Sequence, residues 1–142
     1  MNKLLAEAAQ RLDKENTSIF VLGRGEPYSS LARGIAPIIQ PMEQDPDFFR
    51  ETFVADKVIG RAAALLLIKG GIRGLYAKVI STSAVEVLKD TGIELHFEQE
   101  VPRILNRTGD GFCPMETATQ GITDPEEAFR VLQKKRKEMG KH

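Results

Sequence analysis

The stretch that decides the fold is Asp56–Gly74, DKVIGRAAALLLIKGGIRG, near the middle of the chain. Asp56 is a good helix N-cap, since its carboxylate can accept from the free backbone N–H groups two and three residues on. From there apolar residues fall at Val58, Ile59, Ala62, Leu65 and Leu66, the spacing of one helical face. Ala63, Ala64, Leu67 and Ile68 fill most of the other faces, so this reads as a core helix, apolar nearly all round. Arg61 and Lys69 interrupt it well short of the roughly 20 apolar residues that a membrane span needs. Gly60 and the alanine run after Arg61 give it a slim profile that a sheet or a second helix can approach closely. Gly70-Gly71 ends it, because glycine enters the left-handed cap conformation without steric cost. Ile72–Ile80 then reads as a buried strand.

Upstream, residues 2–15 place Leu4, Leu5, Ala8 and Leu12 on one face, an amphipathic helix ending near Asn16. Ser18–Gly23 and Pro27–Arg33 read as a hairpin turning at Arg24-Gly25. Ile35–Met42 suggests a short helix. The segment from Gln40 to Phe53 is the least regular, with Pro41, Pro46, a cluster of acids and the exposed-looking aromatics Phe48, Phe49 and Phe53. It reads as a connecting loop or lid with a short helix capped by Asp45.

Downstream, Ser83-Ala-Val-Glu86 is a capping box opening a helix to Thr91, with Gly92 as its stop. Ile93–Val101 alternates as a strand, with Ile93, Leu95 and Phe97 on one face. Arg107–Gly111 is a turn-rich loop leading through Phe112 and Cys113 to Glu116. Asp124-Pro125 then starts a last helix whose end is cationic. The order is α-β-β-α-β-α-β, then a loop and a helix. It predicts an α/β protein, a three-layer α/β/α sandwich with a mixed sheet, in a single domain over residues 1–142.

Composition narrows the function classes. Twenty basic and twenty acidic residues cancel, so there is no global field to draw nucleic acid or anionic membrane. The basic run Lys134–Lys137 has no interleaved aromatics and reads as a solvated helix face. Neither nucleic acid nor membrane is expected as a partner. One cysteine excludes an internal disulfide framework and suits a reducing compartment. MNKLLAEAAQRL lacks the continuous apolar core of a signal peptide, so the expected location is cytoplasmic. The chain has no P-loop, no GxGxxG fingerprint and no HExxH.

Hairpin, helix, strand, helix, strand resembles the connectivity of the cytidine deaminase-like fold. VADKVIGRAAALLL (Val54–Leu67), VLKDTGI (Val87–Ile93) and GDGFCPME (Gly109–Glu116) resemble an uncharacterised prokaryotic family assigned to that fold, a domain of unknown function. The resemblance spans roughly residues 1–130 on the one-domain reading. Deaminase chemistry needs a His or Cys and two further Cys on zinc, and a Glu that carries protons to the activated water. By that resemblance the His-x-Glu motif falls on Asp56-Lys57-Val58. The Pro-Cys-x-x-Cys motif falls on Ile80-Ser81-Thr82-Ser83-Ala84. Neither cysteine nor the glutamate is present, so zinc deamination is not expected. What the resemblance leaves is a deaminase-like pocket for a nucleoside- or nucleotide-like small molecule, with no metal and no cofactor.

The candidate residues follow. Asp56 could carry a proton or hold a ribose hydroxyl, and Lys57 could meet a phosphate, against the plainer reading of an N-cap and a solvated lysine. Ser81, Thr82 and Ser83 precede a helix whose free N–H groups could receive an anion, although Ser83 is already explained as a cap. Arg24 could reach an anion across the pocket mouth, but a polar hairpin tip is usually only a turn. Gly60 and Arg61 complete the ligand-binding set on the central helix. Cys113 could be a nucleophile or, with Glu116, a metal ligand. No adjacent base is visible to activate the thiol, and His96 and His142 are the only histidines to supplement a four-ligand site. Glu116 could bind a ligand hydroxyl or pair with Lys57 or Arg61. Two alternatives stand beside the small-molecule pocket. One is a non-catalytic interaction module with Phe48, Phe49 and Phe53 as its contact surface. The other is a metal-dependent hydrolase using Asp56, Cys113 and Glu116. Assembly into a homo-oligomer is expected.

Overall fold

A computed structural model describes residues 1–104 and 113–140. The first half of the chain forms α1 (Lys3–Lys14), β1 (Ile19–Leu22), β2 (Tyr28–Ser30), α2 (Ala36–Gln44) and β3 (Phe53–Ile59). The second half forms α3 (Arg61–Gly70), β4 (Gly74–Ser81), α4 (Thr82–Leu88), β5 (Glu94–Val101), α5 (Pro114–Ala118) and α6 (Pro125–Glu138). The strands make one mixed sheet in the order β2-β1-β3-β4-β5, with β3, β4 and β5 parallel and β1 antiparallel to both its neighbours. The chain is therefore an α/β protein.

The main departure from the sequence reading is β3. Asp56 does not cap a helix; it lies inside the central strand, paired with Ile19 of β1 and Ala77 of β4. Val58 and Ile59 fit a helical spacing with Ala62 and Leu65 by coincidence, and Val54, Val58 and Ile59 are β-branched, as a central strand favours. Pairing on both edges decides the matter. The helix begins only at Arg61, with Gly60 at the N-cap and an extended backbone there. Its other end is as expected: Gly71 takes the left-handed conformation at φ 78° and its N–H returns to the last carbonyls of α3.

Each strand side packs on a different helix set. Phe20, Leu22 and Ala55 join Ala8 and Leu12 of α1 in one cluster. Ile19, Val21, Val54, Leu75 and Ala77 join the residues of α2, α3, α4 and α6 in a larger one. This alternation, set by the period of two along a strand, puts α1 on one face and the remaining helices on the other. Helix α3 is the centre of that second layer, and Ala62 to Leu67 are all buried. The small alanine side chains let the sheet, α4 and α6 all close on it.

Two further corrections concern the flanks. Phe48, Phe49 and Phe53 do not form an exposed surface. Phe49 is 0% exposed and Phe53 is buried, while Tyr28, Phe48 and Phe49 stack edge to face with centroids 5.0–6.2 Å apart. The segment after α2 is a turn that tucks these rings under α3, and Asp45 holds it through the Asp47 N–H at 3.0 Å. In α4 the cap is Ser81, whose Oγ accepts from the Ala84 N–H at 3.1 Å. Ser83 is already inside that helix, which stops at Leu88 rather than Thr91. The Arg107–Gly111 loop and the GDGF half of the GDGFCPME motif lie outside the described residues. No helix among the described residues is long and apolar enough to cross a membrane.

Candidate functional site

At the carboxyl end of β3 the chain turns through Gly60 into α3, and the first free N–H groups of that helix point out of the sheet edge. Glu116 fills this position. Its Oε1 accepts from the Arg61 N–H at 2.7 Å and its Oε2 from the Ala62 N–H at 2.8 Å. A carboxylate on two converging amides at a helix start is favoured by the hydrogen bonds and the helix dipole together. Gly60 is what admits it, because a Cβ at this position would lie 2.5 Å from the Glu116 carboxyl group.

Arg61 completes a clasp in the other direction. Its Nε donates to the Thr119 and Ile122 carbonyls at 3.1 and 3.0 Å, Nη2 donates to Ile122, and Nη1 donates to Ser83 Oγ at 2.7 Å. The backbone of Arg61 thus holds α5 through Glu116, while its side chain holds the turn after α5 and the start of α4. Gly60, Arg61, Ser83 and Glu116 come together, with Glu116 on the Arg61 backbone N–H and the Arg61 guanidinium on other partners. The Thr119 and Ile122 carbonyls were not anticipated, since nothing in their residue types marks a backbone acceptor.

Asp56 lies four residues before Gly60 on the same strand. By register its side chain shares the face of Ile19 and Ala77, the face covered by α3. It is 7% exposed, and burial pushes its carboxyl up to about 8, against the lowering effect of the nearby Val58 and Lys57 backbone N–H groups, the first of which donates to Asp56 Oδ1 at 3.1 Å. At neutral pH it is predominantly a neutral acid, able to donate as well as accept. Two apolar side chains emerge at the same end of the sheet, Leu31 at 75% and Val58 at 48% exposed. Sequence reading assigned Val58 to a core face and missed both.

The other candidates lie apart from this group. Lys57 faces the α1 side, where its Nζ donates to Asn16 Oδ1 at 2.9 Å. Ser81 is committed as a cap, and Thr82 Oγ1 donates to the Val101 carbonyl at 3.3 Å. Arg24 donates to the Asp47 carbonyl at 2.7 Å, tying the hairpin turn to the segment after α2. Cys113 is partly buried at the N-cap of α5, packed against the larger core cluster. Asp56, Cys113 and Glu116 do not form a metal site: no group of three or more His, Cys, Asp or Glu among the described residues is placed to hold an ion.

Residues 7–136 match the family TM1506: Domain of unknown function (DUF1893). The chain belongs to this family. Its fold is similar to the crystal structure of a DUF1893 family protein, TM1506 from Thermotoga maritima, with a TM-score of 0.84 at 29% identity. That similarity covers 95% of this chain and 92% of the Thermotoga chain. No curated protein matches it. In this DUF1893 protein the Arg61 and Ala62 N–H groups converge on the Glu116 carboxylate, with buried Asp56 further back along β3 and exposed Val58 and Leu31 at the same end of the sheet.

Proposed function

We propose that this chain has a cytidine deaminase-like topology and binds a nucleoside- or nucleotide-like small molecule at the carboxyl ends of β3 and β4, without zinc chemistry. In parallel sheets ligands gather outside the carboxyl strand ends, where the direction of chain crossing changes. Here Gly60 follows the carboxyl end of β3, and Asp56 lies within that strand. With β3 counted, the helix after the hairpin is α2 and the helix after the third strand is α3. A deaminase carries its zinc at those two helix starts. The corresponding residues are Gly34-Ile35-Ala36 and Gly60-Arg61-Ala62, none of them a metal ligand. The correspondence replaces the alignment to Asp56 and Ile80–Ala84 and leads to the same exclusion.

The observation that carries the reading is the receptacle itself. Two N–H groups converge on an oxyanion-sized position, and the glycine beside them leaves it open to a tetrahedral phosphate as well as to Glu116. Asp56 stands about 13 Å away along the strand, of the order of an extended nucleoside monophosphate. A neutral carboxyl presents a donor and an acceptor together, which complements the amide-like edge of a nucleobase, while Val58 and Leu31 offer apolar contact to its ring. In this account Glu116 occupies the phosphate position of the ligand-free chain and leaves when ligand binds. The test is native mass spectrometry of gently purified wild type and Asp56→Asn protein, each then titrated with nucleosides and nucleoside monophosphates. A stoichiometric adduct on the wild type that weakens in Asp56→Asn supports the reading. No adduct with any of them overturns it.

A further inference from the structure

Helices α2 and α6 both pack on α3, and a groove lined by none of the Gly60-site residues lies between them. A cavity of about 170 Å³ opens there, lined by Gln40, Glu43, Gln133, Arg136 and Lys137. Arg136 is the unusual member. Its side chain is nearly all buried, 5% exposed for the residue as a whole, yet its Nε has no hydrogen-bond partner among the described residues. Its one ion pair among the described residues is long, Nη1 to Glu43 Oε1 at 3.6 Å, and the other Glu43 oxygen already accepts from Gln133 Nε2 at 3.1 Å. A guanidinium removed from water costs several kcal/mol unless its donors are met, and here they are met only in part. Lys137, exposed at the rim, adds a second positive charge.

We propose that this groove is a binding site for a phosphate-class oxyanion, either free phosphate or the terminal group of a small phosphomonoester. Arg136 is its planar anchor and Lys137 its rim charge. The cavity has the volume of about five or six liquid waters, enough for one tetrahedral oxyanion and its contacts. An arginine fork suits such an anion because two parallel N–H groups meet two oxygens. Glu43 is the opposing charge in the groove: it pairs with Arg136 in place of the anion, and gives up that pairing while keeping Gln133 when the anion enters. The site is independent of the proposed ligand at Gly60.

The test follows the Arg136 Nε–H resonance in ¹H–¹⁵N spectra of the full chain during titration with inorganic phosphate and, separately, with glycerol 3-phosphate. The expected result is a saturable shift with a dissociation constant on the order of 1 mM. Lys137→Gln, at an exposed position, should weaken it at least severalfold. Glu43→Gln, which keeps the shape and removes the competing charge, should tighten it severalfold. Tighter binding of glycerol 3-phosphate than of phosphate identifies an ester ligand, and the reverse identifies free phosphate. If the Nε–H shift does not saturate with either probe in wild type and in Glu43→Gln, Arg136 is only the structural partner of Glu43 and the proposal fails. Saturating shifts confined to the Arg61 and Ala62 amides would also overturn it, while leaving the Gly60 receptacle intact.

Discussion

Glu116 and Arg61 hold each other's segments in opposite directions. The Glu116 carboxylate accepts from the Arg61 backbone N–H at 2.7 Å, and the Arg61 guanidinium donates to the Thr119 and Ile122 carbonyls just beyond α5. The pair joins the start of the central helix to a short helix 55 residues later in the chain. A five-residue helix such as α5 has little stability of its own, so its placement depends on these bonds. Glu116→Ala should therefore cost about 1–3 kcal/mol, read as a lower urea midpoint with an unchanged slope.

Gly60→Ala tests the same contact from the other side. The backbone at Gly60 has φ −101°, which any residue adopts, so the substitution brings no backbone strain. Its cost comes from pushing the Glu116 carboxyl aside. Because both substitutions remove one interaction, a double-mutant cycle should be strongly non-additive, with Gly60→Ala/Glu116→Ala about as stable as Glu116→Ala alone. Simple additivity in denaturant unfolding would show that Gly60 serves something other than this carboxylate.

Asp56 predicts a pH dependence of definite sign. Its carboxyl is raised from 3.8 in an unperturbed chain to about 8 in the fold, so between those values the folded protein binds more protons at this site than the unfolded one. Stability from this group is therefore full below about pH 4 and falls as pH rises toward about 8, by about 1.4 kcal/mol per unit at most. Asp56→Asn removes the titrating group while keeping a polar side chain. The variant should lose most of this slope and gain stability over wild type at pH 8, with little difference at pH 4. Thermal melts across that range check it. Parallel pH profiles for the two proteins would contradict the assignment.

Phe49 has no exposed surface and meets Tyr28 and Phe48 edge to face. Phe49→Ala should cost about 3–5 kcal/mol, with the loss visible in equilibrium unfolding. A surface contact for a partner would instead leave stability nearly unchanged.

The legible parts of the sequence were those in which local signals agree with tertiary placement. The α1 helix with Leu5, Ala8 and Leu12 buried (Leu4 of the stripe is exposed), the hairpin, the Gly71 stop of α3, the strand around Leu75 and Ala77, and the Asp124-Pro125 start of α6 came out as read. The strand β3 was lost because Val58 and Ile59 fit the helical period that follows them, and only pairing with β1 and β4 separates the two elements. The aromatics at 48, 49 and 53 were misread because Pro46 and the surrounding acids mark a loop, while the burial of Phe49 against the end of α3 and of Phe53 beside Leu5 on the α1 side of the sheet is a long-range fact. In the candidate site, residue type offered Lys57 or Arg61 as a partner for Glu116, and the bond formed is to the Arg61 backbone N–H. The Thr119 and Ile122 acceptors of the Arg61 guanidinium are backbone carbonyls, which carry no sequence signal, and the exposure of Val58 depends on where β3 ends.

The most direct test of the central claim is a calorimetric titration of one nucleoside monophosphate into wild type, Glu116→Gln and Asp56→Asn protein. If Glu116 occupies the phosphate position, Glu116→Gln should bind about tenfold more tightly than wild type, about 1.4 kcal/mol, and Asp56→Asn should bind more weakly. Equal affinities in all three proteins, or no heat of binding in any of them, would contradict the account and leave Glu116 as a helix cap.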